Sequence, residues 1–235
     1  MLEPPGSAPR AEQLPLKLKI AFPRGLAAVI AGDNQAVIDV LLAIAGRTAA
    51  AGVYVLRGPA GVGKSVFLRA LVEDASAPAS VLDALARANL GDQLLPATAG
   101  IGLLALDEVE ASAGDAQAEE ALFGLLNARH DQRLSTVVAL TGDPEFKLKD
   151  LRSRLSLAVQ LTLKPLAPEA AFAAFVERAE RLRIPLSGKV CAYLETRVER
   201  NLQSLLALLA RIDDSTLRRQ RRLTVPLLKE LLQDR

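Results

Sequence analysis

Short apolar runs alternate along this chain with longer stretches whose apolar positions recur every three or four residues. Val53-Tyr54-Val55-Leu56, Ser80-Val81-Leu82, Ile101 to Leu106, Ser135 to Leu140 and Ala158 to Leu163 have the length and β-branched content of strands. The runs at 101 and 135 are nearly all apolar, as expected of parallel strands covered on both faces. Before and between them, Gln35 to Ala49, Val66 to Val72, Ala116 to Arg129 and Phe146 to Leu155 follow helical periodicity, with Asp33 or Asn34 suited to cap the first. Residues 74–100, broken by Pro78, Gly91 and Pro96, have room for the short strand near Ser80 and one helix. Strands alternating with helices predict a doubly wound parallel sheet with its ligand at the carboxyl ends of the strands.

After Pro165 the period is helical throughout. Helices are expected at Pro168 to Leu182, Ser187 to Arg197, Leu202 to Leu217 and Pro226 to Leu232, the last with Thr224 and Pro226 as an N-terminal signature. This shift divides the chain into a tail at 1–22, an α/β base at 23–164 and a small all-helical domain at 165–235. Within the tail, the Pro-rich residues 1–12 are expected to be disordered. Leu14, Leu16, Leu18 and Ile20 then alternate, which suits an edge strand weakened by Pro15 or an extended peptide that docks in a partner's groove.

Composition narrows the picture. The 235 residues are 50% hydrophobic and 24% charged, enough for a sizeable core. A net charge of +2 argues against bulk electrostatic attraction to nucleic acid as the main activity. A single cysteine, Cys191, excludes an internal disulfide and reads as a small core residue, and the lone histidine, His130, reads as a solvated loop residue. No signal peptide or spanning run is visible, so the expected location is the cytoplasm.

The most informative stretch is Gly58-Pro59-Ala60-Gly61-Val62-Gly63-Lys64-Ser65, set between a strand-like and a helix-like run. That context identifies a phosphate-binding loop: the glycines let backbone N–H groups converge on phosphate oxygens, and the helix N-terminus adds positive potential. Lys64 is expected on the β- and γ-phosphates, and the Ser65 hydroxyl on Mg²⁺. Asp107 and Glu108 end the run at 101; Asp107 is the expected partner of Mg²⁺ and Glu108 the residue that orients an attacking water. Asp143, ending the next strand, is placed to sense the phosphate or that water. Arg152 and Arg154 belong to a short basic helix whose arginines either face solvent or reach a neighbour's phosphates.

Together these residues resemble the AAA+ ATPases, and within them the DnaA-related branch, from Gln13 to Leu232. The resemblance implies an AAA+ P-loop NTPase base with a parallel sheet followed by an all-α lid, holding ADP or ATP with Mg²⁺. Ala31-Gly32-Asp33-Asn34 is similar to the family's adenine-side segment, which puts Gly32 and Asn34 at the nucleotide. Gly58 to Ser65 and Leu106-Asp107-Glu108 are similar to Walker A and Walker B. Thr141-Gly142-Asp143 is similar to sensor 1, and Arg152-Ser153-Arg154-Leu155 to the box carrying the arginine finger, placing the finger at Arg154. Gln13, Leu14, Leu16 and Leu18 fall in a peptide like those by which DnaA regulators bind the replicative sliding clamp. Gln203 stands where the family's sensor 2 arginine belongs, with Arg200 a turn away, which keeps hydrogen bonding but loses a charge and leaves intrinsic hydrolysis open. No helix-turn-helix follows the lid, so DNA contact through such a domain is not expected.

The resemblance thus implies a regulator that joins the clamp and supplies Arg154 to ATP held by DnaA, with self-assembly also open. The alternatives are a stand-alone ATPase or helicase-loader-like protein on single-stranded DNA, drawing on the basic run Arg218-Arg219-Gln220-Arg221-Arg222, and a nucleotide-binding adaptor without stimulatory activity.

Overall fold

The computed structural model describes residues 25–90, 93–198, 201–219 and 223–233. The tail with Gln13, Leu14, Leu16 and Leu18, together with Arg200 and residues 220–222 of the basic run, lies outside them. The described elements run α1 (Gln35–Ala45), β1 (Val53–Arg57), α2 (Lys64–Glu73), β2 (Ala79–Leu82), α3 (Ala84–Leu90), α4 (Leu94–Ala97) and β3 (Leu103–Leu106). After a 3₁₀ turn at Val109–Ser112 come α5 (Ala116–Asp131), β4 (Ser135–Leu140), α6 (Lys149–Leu157), β5 (Val159–Thr162), α7 (Pro168–Arg181), α8 (Gly188–Arg197), α9 (Leu202–Arg219) and α10 (Val225–Gln233).

The strands form one parallel sheet in the order β2-β3-β4-β1-β5, with Val55 opposite Val138 and Leu56 opposite Leu161. Parallel neighbours need crossovers, and the helices that supply them cover both faces. Alternation along the strands sorts the core: Tyr54, Leu56, Leu103, Ala105, Val137 and Ala139 pack with α1 and α2, while Val55, Leu104, Leu106, Val138 and Leu140 pack with α5 and α6. A third buried cluster, including Phe175, Leu194, Leu205, Ile212 and Leu228, joins α7 to α10.

Polar ties fix the joints. Glu119 of α5, with no exposed surface, accepts the N–H groups of Gly114, Lys147 and Leu148, at 2.7, 3.1 and 2.7 Å. Those bonds set the start of α6 at Lys149, later than the sequence pattern predicts. Arg129 donates from inside the fold to Thr136 Oγ1 and to the carbonyls of Ile101, Gly102 and Ser135. Burial pulls its guanidinium down to about 10.

The fold departs from expectation at identifiable places. Helix α1 stops at Ala45, because Gly46 ends it and Arg47 takes a positive φ of 58°. The expected cap at Asn34 makes no side-chain cap bond, and its amide goes instead to Lys164. Residues 74–100 hold two short helices after β2 rather than one. His130 sits exposed in the last turn of α5, and Cys191 is half-buried on α8 rather than in the core. No described helix is long and apolar enough to cross a membrane.

Candidate nucleotide site

Strand β1 delivers the chain to Gly58, and the loop ends as α2 begins at Lys64. Gly61 and Gly63 have φ of +75° and +107°, a region open to glycine and costly for other residues. A Cβ on Gly58 would meet Val62 Cγ1 at 2.8 Å and the Leu163 carbonyl at 3.1 Å. Gly63 is the N-cap of α2 and brings no side chain to the first-turn N–H groups, so that end of the helix is built for an anion. Lys64 is 8% exposed, and its Nζ donates to the carbonyls of Gly58 and Pro59 at 3.0 and 3.1 Å. Burial pushes the Lys64 ammonium below its ordinary pKa, against the opposing pull of Glu110 and Asp107. Ser65 is half-buried in the same turn.

At the end of β3, Asp107 is buried and its Oδ1 accepts the N–H of Glu108 at 3.0 Å. Glu108 adopts a left-handed φ of 53° and faces solvent. Glu110, one residue beyond Val109, carries a buried Oε2 with no hydrogen-bond partner. Arg87, 7% exposed, donates to the carbonyls of Leu82, Asp107 and Glu108. Desolvation lowers the pKa of Arg87, opposed by Asp107, Asp83, Glu108 and Glu110. Asp143 follows β4 with a fully exposed side chain and pairs with Arg57, Nη1 to Oδ1 at 3.5 Å. Arg57 also donates to the Gly142 carbonyl and to Gln160 Oε1, so it ties the end of β1 to the turn after β4 and to a side chain of β5.

A cleft of about 730 Å³ opens between the loop and the helical domain, with Val29, Ile30, Val62, Phe67, Leu166 and Gln203 in its wall. The apolar wall suits a purine, and the loop at one end suits phosphates. Gln203 at the start of α9 reaches the loop: a Cβ on Gly61 would fall 1.8 Å from its Oε1. Asn34 lines the cleft, yet both ends of its amide are taken by the backbone of Lys164, at 2.9 and 2.7 Å, so it acts as a latch. Gly32, at φ +49°, is where Leu166 comes close, 2.5 Å from a Cβ placed there. Arg154 is not in the cleft wall. It is half-buried on α6, its guanidinium 5.9 Å from the centroid of the Phe123 ring, and makes no ion pair among the described residues.

These residues fit an adenine nucleotide with Mg²⁺. Among the described residues no group of three or more acidic, histidine or cysteine side chains forms a metal cage. A cation held by Ser65 and Asp107 would complete its oxygen shell from phosphate and water, the usual arrangement for Mg²⁺. The unpartnered Glu110 oxygen adds an acceptor nearby. Sequence reasoning missed Arg57, Arg87 and Glu110. Arg57 had a signal, since it follows a buried strand directly and precedes the loop. Arg87 had none, lying in an Ala-rich helix.

A glycine-rich loop after β1, the strand order β2-β3-β4-β1-β5 and a helical region beside the loop make up the AAA+ fold. The solved structures that share the fold agree. Domain III of the Thermotoga maritima replication initiation protein DnaA superposes with a TM-score of 0.77 at 18% identity, covering 94% of this chain and 98% of that one. DnaA bound to AMPPCP and single-stranded DNA gives 0.65 at 19% identity, with 84% and 68% covered. The Thermotoga maritima RuvB Holliday junction branch migration motor gives 0.66 at 16% identity, with 92% and 73% covered. Residues 169–232 match the family model for the Hda lid domain. The chain thus shares its fold with DnaA domain III and with RuvB, and its last helices carry a match to the Hda lid domain.

Proposed function

We propose that the protein is an adenine-nucleotide-binding regulator of replication initiation that stimulates ATP hydrolysis on DnaA. In this reading 23–164 is the nucleotide-binding base, 165–235 the lid, and 1–22 a tail whose Gln13, Leu14, Leu16 and Leu18 dock on the DNA-loaded sliding clamp in the cytoplasm. The Hda-type lid joined to a DnaA-like base supports the partner. The observation that carries the reading is Arg154, resting on an aromatic ring outside its own cleft instead of pairing within it.

The roles of the chain's own residues follow. Gly58 to Gly63, Lys64 and Ser65 hold ADP or ATP, Asp107 helps hold Mg²⁺, Gln203 offers an amide from the lid, and Gly32 and Asn34 shape the adenine end. When bound, Mg²⁺ neutralises phosphate charge. Asp143, anchored by Arg57, and the exposed Glu108 are the candidates for sensing and water orientation if the chain hydrolyses its own nucleotide. Arg154 leaves the Phe123 face to donate to the triphosphate on DnaA, where a finger of this kind is worth roughly 10³–10⁵ in rate. The test measures DnaA-ATP turnover with clamp loaded on DNA. Arg154→Ala should retain ADP and clamp binding while turnover collapses, and a Leu14→Ala/Leu16→Ala variant should lose the clamp dependence. Undiminished turnover with Arg154→Ala removes the finger from the mechanism.

A second reading, direct action on single-stranded DNA, is favoured by the structural likeness to a DnaA that carries it. Strongly salt-dependent binding of a single strand without DnaA would select it.

A further inference from the structure

Arg87 spends its guanidinium on backbone. Asp83 opens α3 by accepting the N–H of Ala86 at 2.8 Å, and the helix then carries Arg87 back over the ends of β2 and β3. Nη1 donates to the carbonyls of Leu82, at 3.2 Å, and Asp107; Nη2 donates to that of Glu108 at 2.8 Å. The Leu82 carbonyl also accepts the Asp107 N–H at 2.9 Å, so one group closes the gap between the two strand ends. A planar fork of donors can serve two strands at once, which an ammonium cannot match in geometry.

The consequence falls on Asp107. Glu108 is held at a left-handed φ of 53°, a conformation costly for a non-glycine residue, and its carbonyl is one that Arg87 grips. In that turn the Glu108 N–H fixes Asp107 Oδ1, while Asp107 Oδ2 has no hydrogen bond among the described residues. The Glu110 Oε2 beyond the turn is buried without a partner. The turn therefore leaves carboxylate oxygens open and sends the Glu108 side chain to solvent.

We propose that Arg87 is the positioning residue of the divalent-cation site: by gripping the carbonyls of Leu82, Asp107 and Glu108 it fixes the turn that presents the Asp107 carboxylate. This rests on the reading of the cleft as a Mg²⁺–nucleotide site. Arg87 does not touch the cation; it acts through backbone, as outer-shell partners of metal ligands do.

The test is calorimetric titration of MgCl₂ into the full chain with saturating ADP, beside ADP binding in EDTA and thermal unfolding. Wild type should show a distinct Mg²⁺ affinity. Arg87→Met, which keeps the stem and removes the fork, should lower that affinity roughly 10–100-fold. Its ADP affinity in EDTA should hold. Arg87→Lys should fall between, and carries the test alone if the methionine variant does not fold. Variants that keep the wild-type Mg²⁺ affinity overturn the role of Arg87 and leave the nucleotide reading intact. ADP affinity lost equally with and without Mg²⁺ also overturns it, since that is the mark of general structural damage. A wild type that ignores Mg²⁺ overturns both.

Discussion

The amide of Gln203 occupies the space that a side chain on Gly61 would need. An ideal Cβ at Gly61 lies 1.8 Å from Gln203 Oε1, 2.6 Å from its Cδ and 3.3 Å from its Cβ. The lid thus meets the phosphate loop at a position where glycine is required twice, once for contact and once for its φ of +75°.

Gly61→Ala should separate those two requirements. The backbone term alone costs about 1–2 kcal/mol, and the clash should push the glutamine out of the loop. We expect weaker ADP binding and a lower Tm. Adding Gln203→Ala should recover the contact part and leave the backbone part, which calorimetry and thermal unfolding on the pair of variants will resolve.

Gln203→Arg places a cation beside the loop. Charge-assisted hydrogen bonds contribute about 1.5–3 kcal/mol, so ATP affinity should rise roughly 10–100-fold, and more than ADP affinity. Equal, unchanged affinities for ATP and ADP would show that position 203 does not face the phosphates.

Glu119 predicts an acid-side dependence. Burial raises its pKa, but the N–H groups of Leu148, Gly114 and Lys147, with the Lys147 charge, outweigh it and leave the carboxyl below its ordinary 4.5. A depressed folded pKa means a contribution present in full above about 4.5 and lost as pH falls through the folded value. Glu119→Gln should be less stable than wild type at neutral pH. The gap should narrow as both are acidified below pH 4.5 in denaturant titrations; a gap constant with pH would contradict the ionised role.

Arg129→Met removes the donor to three carbonyls and the Thr136 hydroxyl. Unpaired buried groups cost about 1–3 kcal/mol each, so a loss of at least about 2 kcal/mol is expected in urea unfolding. Because these bonds lie where β3 and β4 begin, away from the loop, ADP affinity should not change in the folded fraction.

Strand positions were legible because both faces of the sheet are covered, which writes a strand as an uninterrupted apolar word, as in Leu103–Leu106. The turn from β1 into α2 was legible because its glycines stand at fixed spacing, two of them at positive φ. What the sequence concealed depends on partners far along the chain. Asn34 looks like a helix cap until Lys164, 130 residues away, claims its amide. The start of α6 is set by Glu119, 28 and 29 residues before the N–H groups it binds. Glu108 was visible as an acid beside Asp107, but its left-handed turn, whose carbonyl Arg87 binds, was not, since no local pattern encodes that turn. Arg154 was visible as a basic residue on a helix; its seat on Phe123 was not.

The Asn34–Lys164 latch sets where the chain leaves the sheet for the helical region. Both backbone groups of Lys164 are pinned, so the first residue free of that tie is Pro165, which lines the cleft. Beyond that point Phe175 and the rest of the third core cluster pack as one unit, and Gln203 extends from the same set of helices to Gly61. A change of angle at Pro165 would therefore be read out at the contact between Gln203 and Gly61.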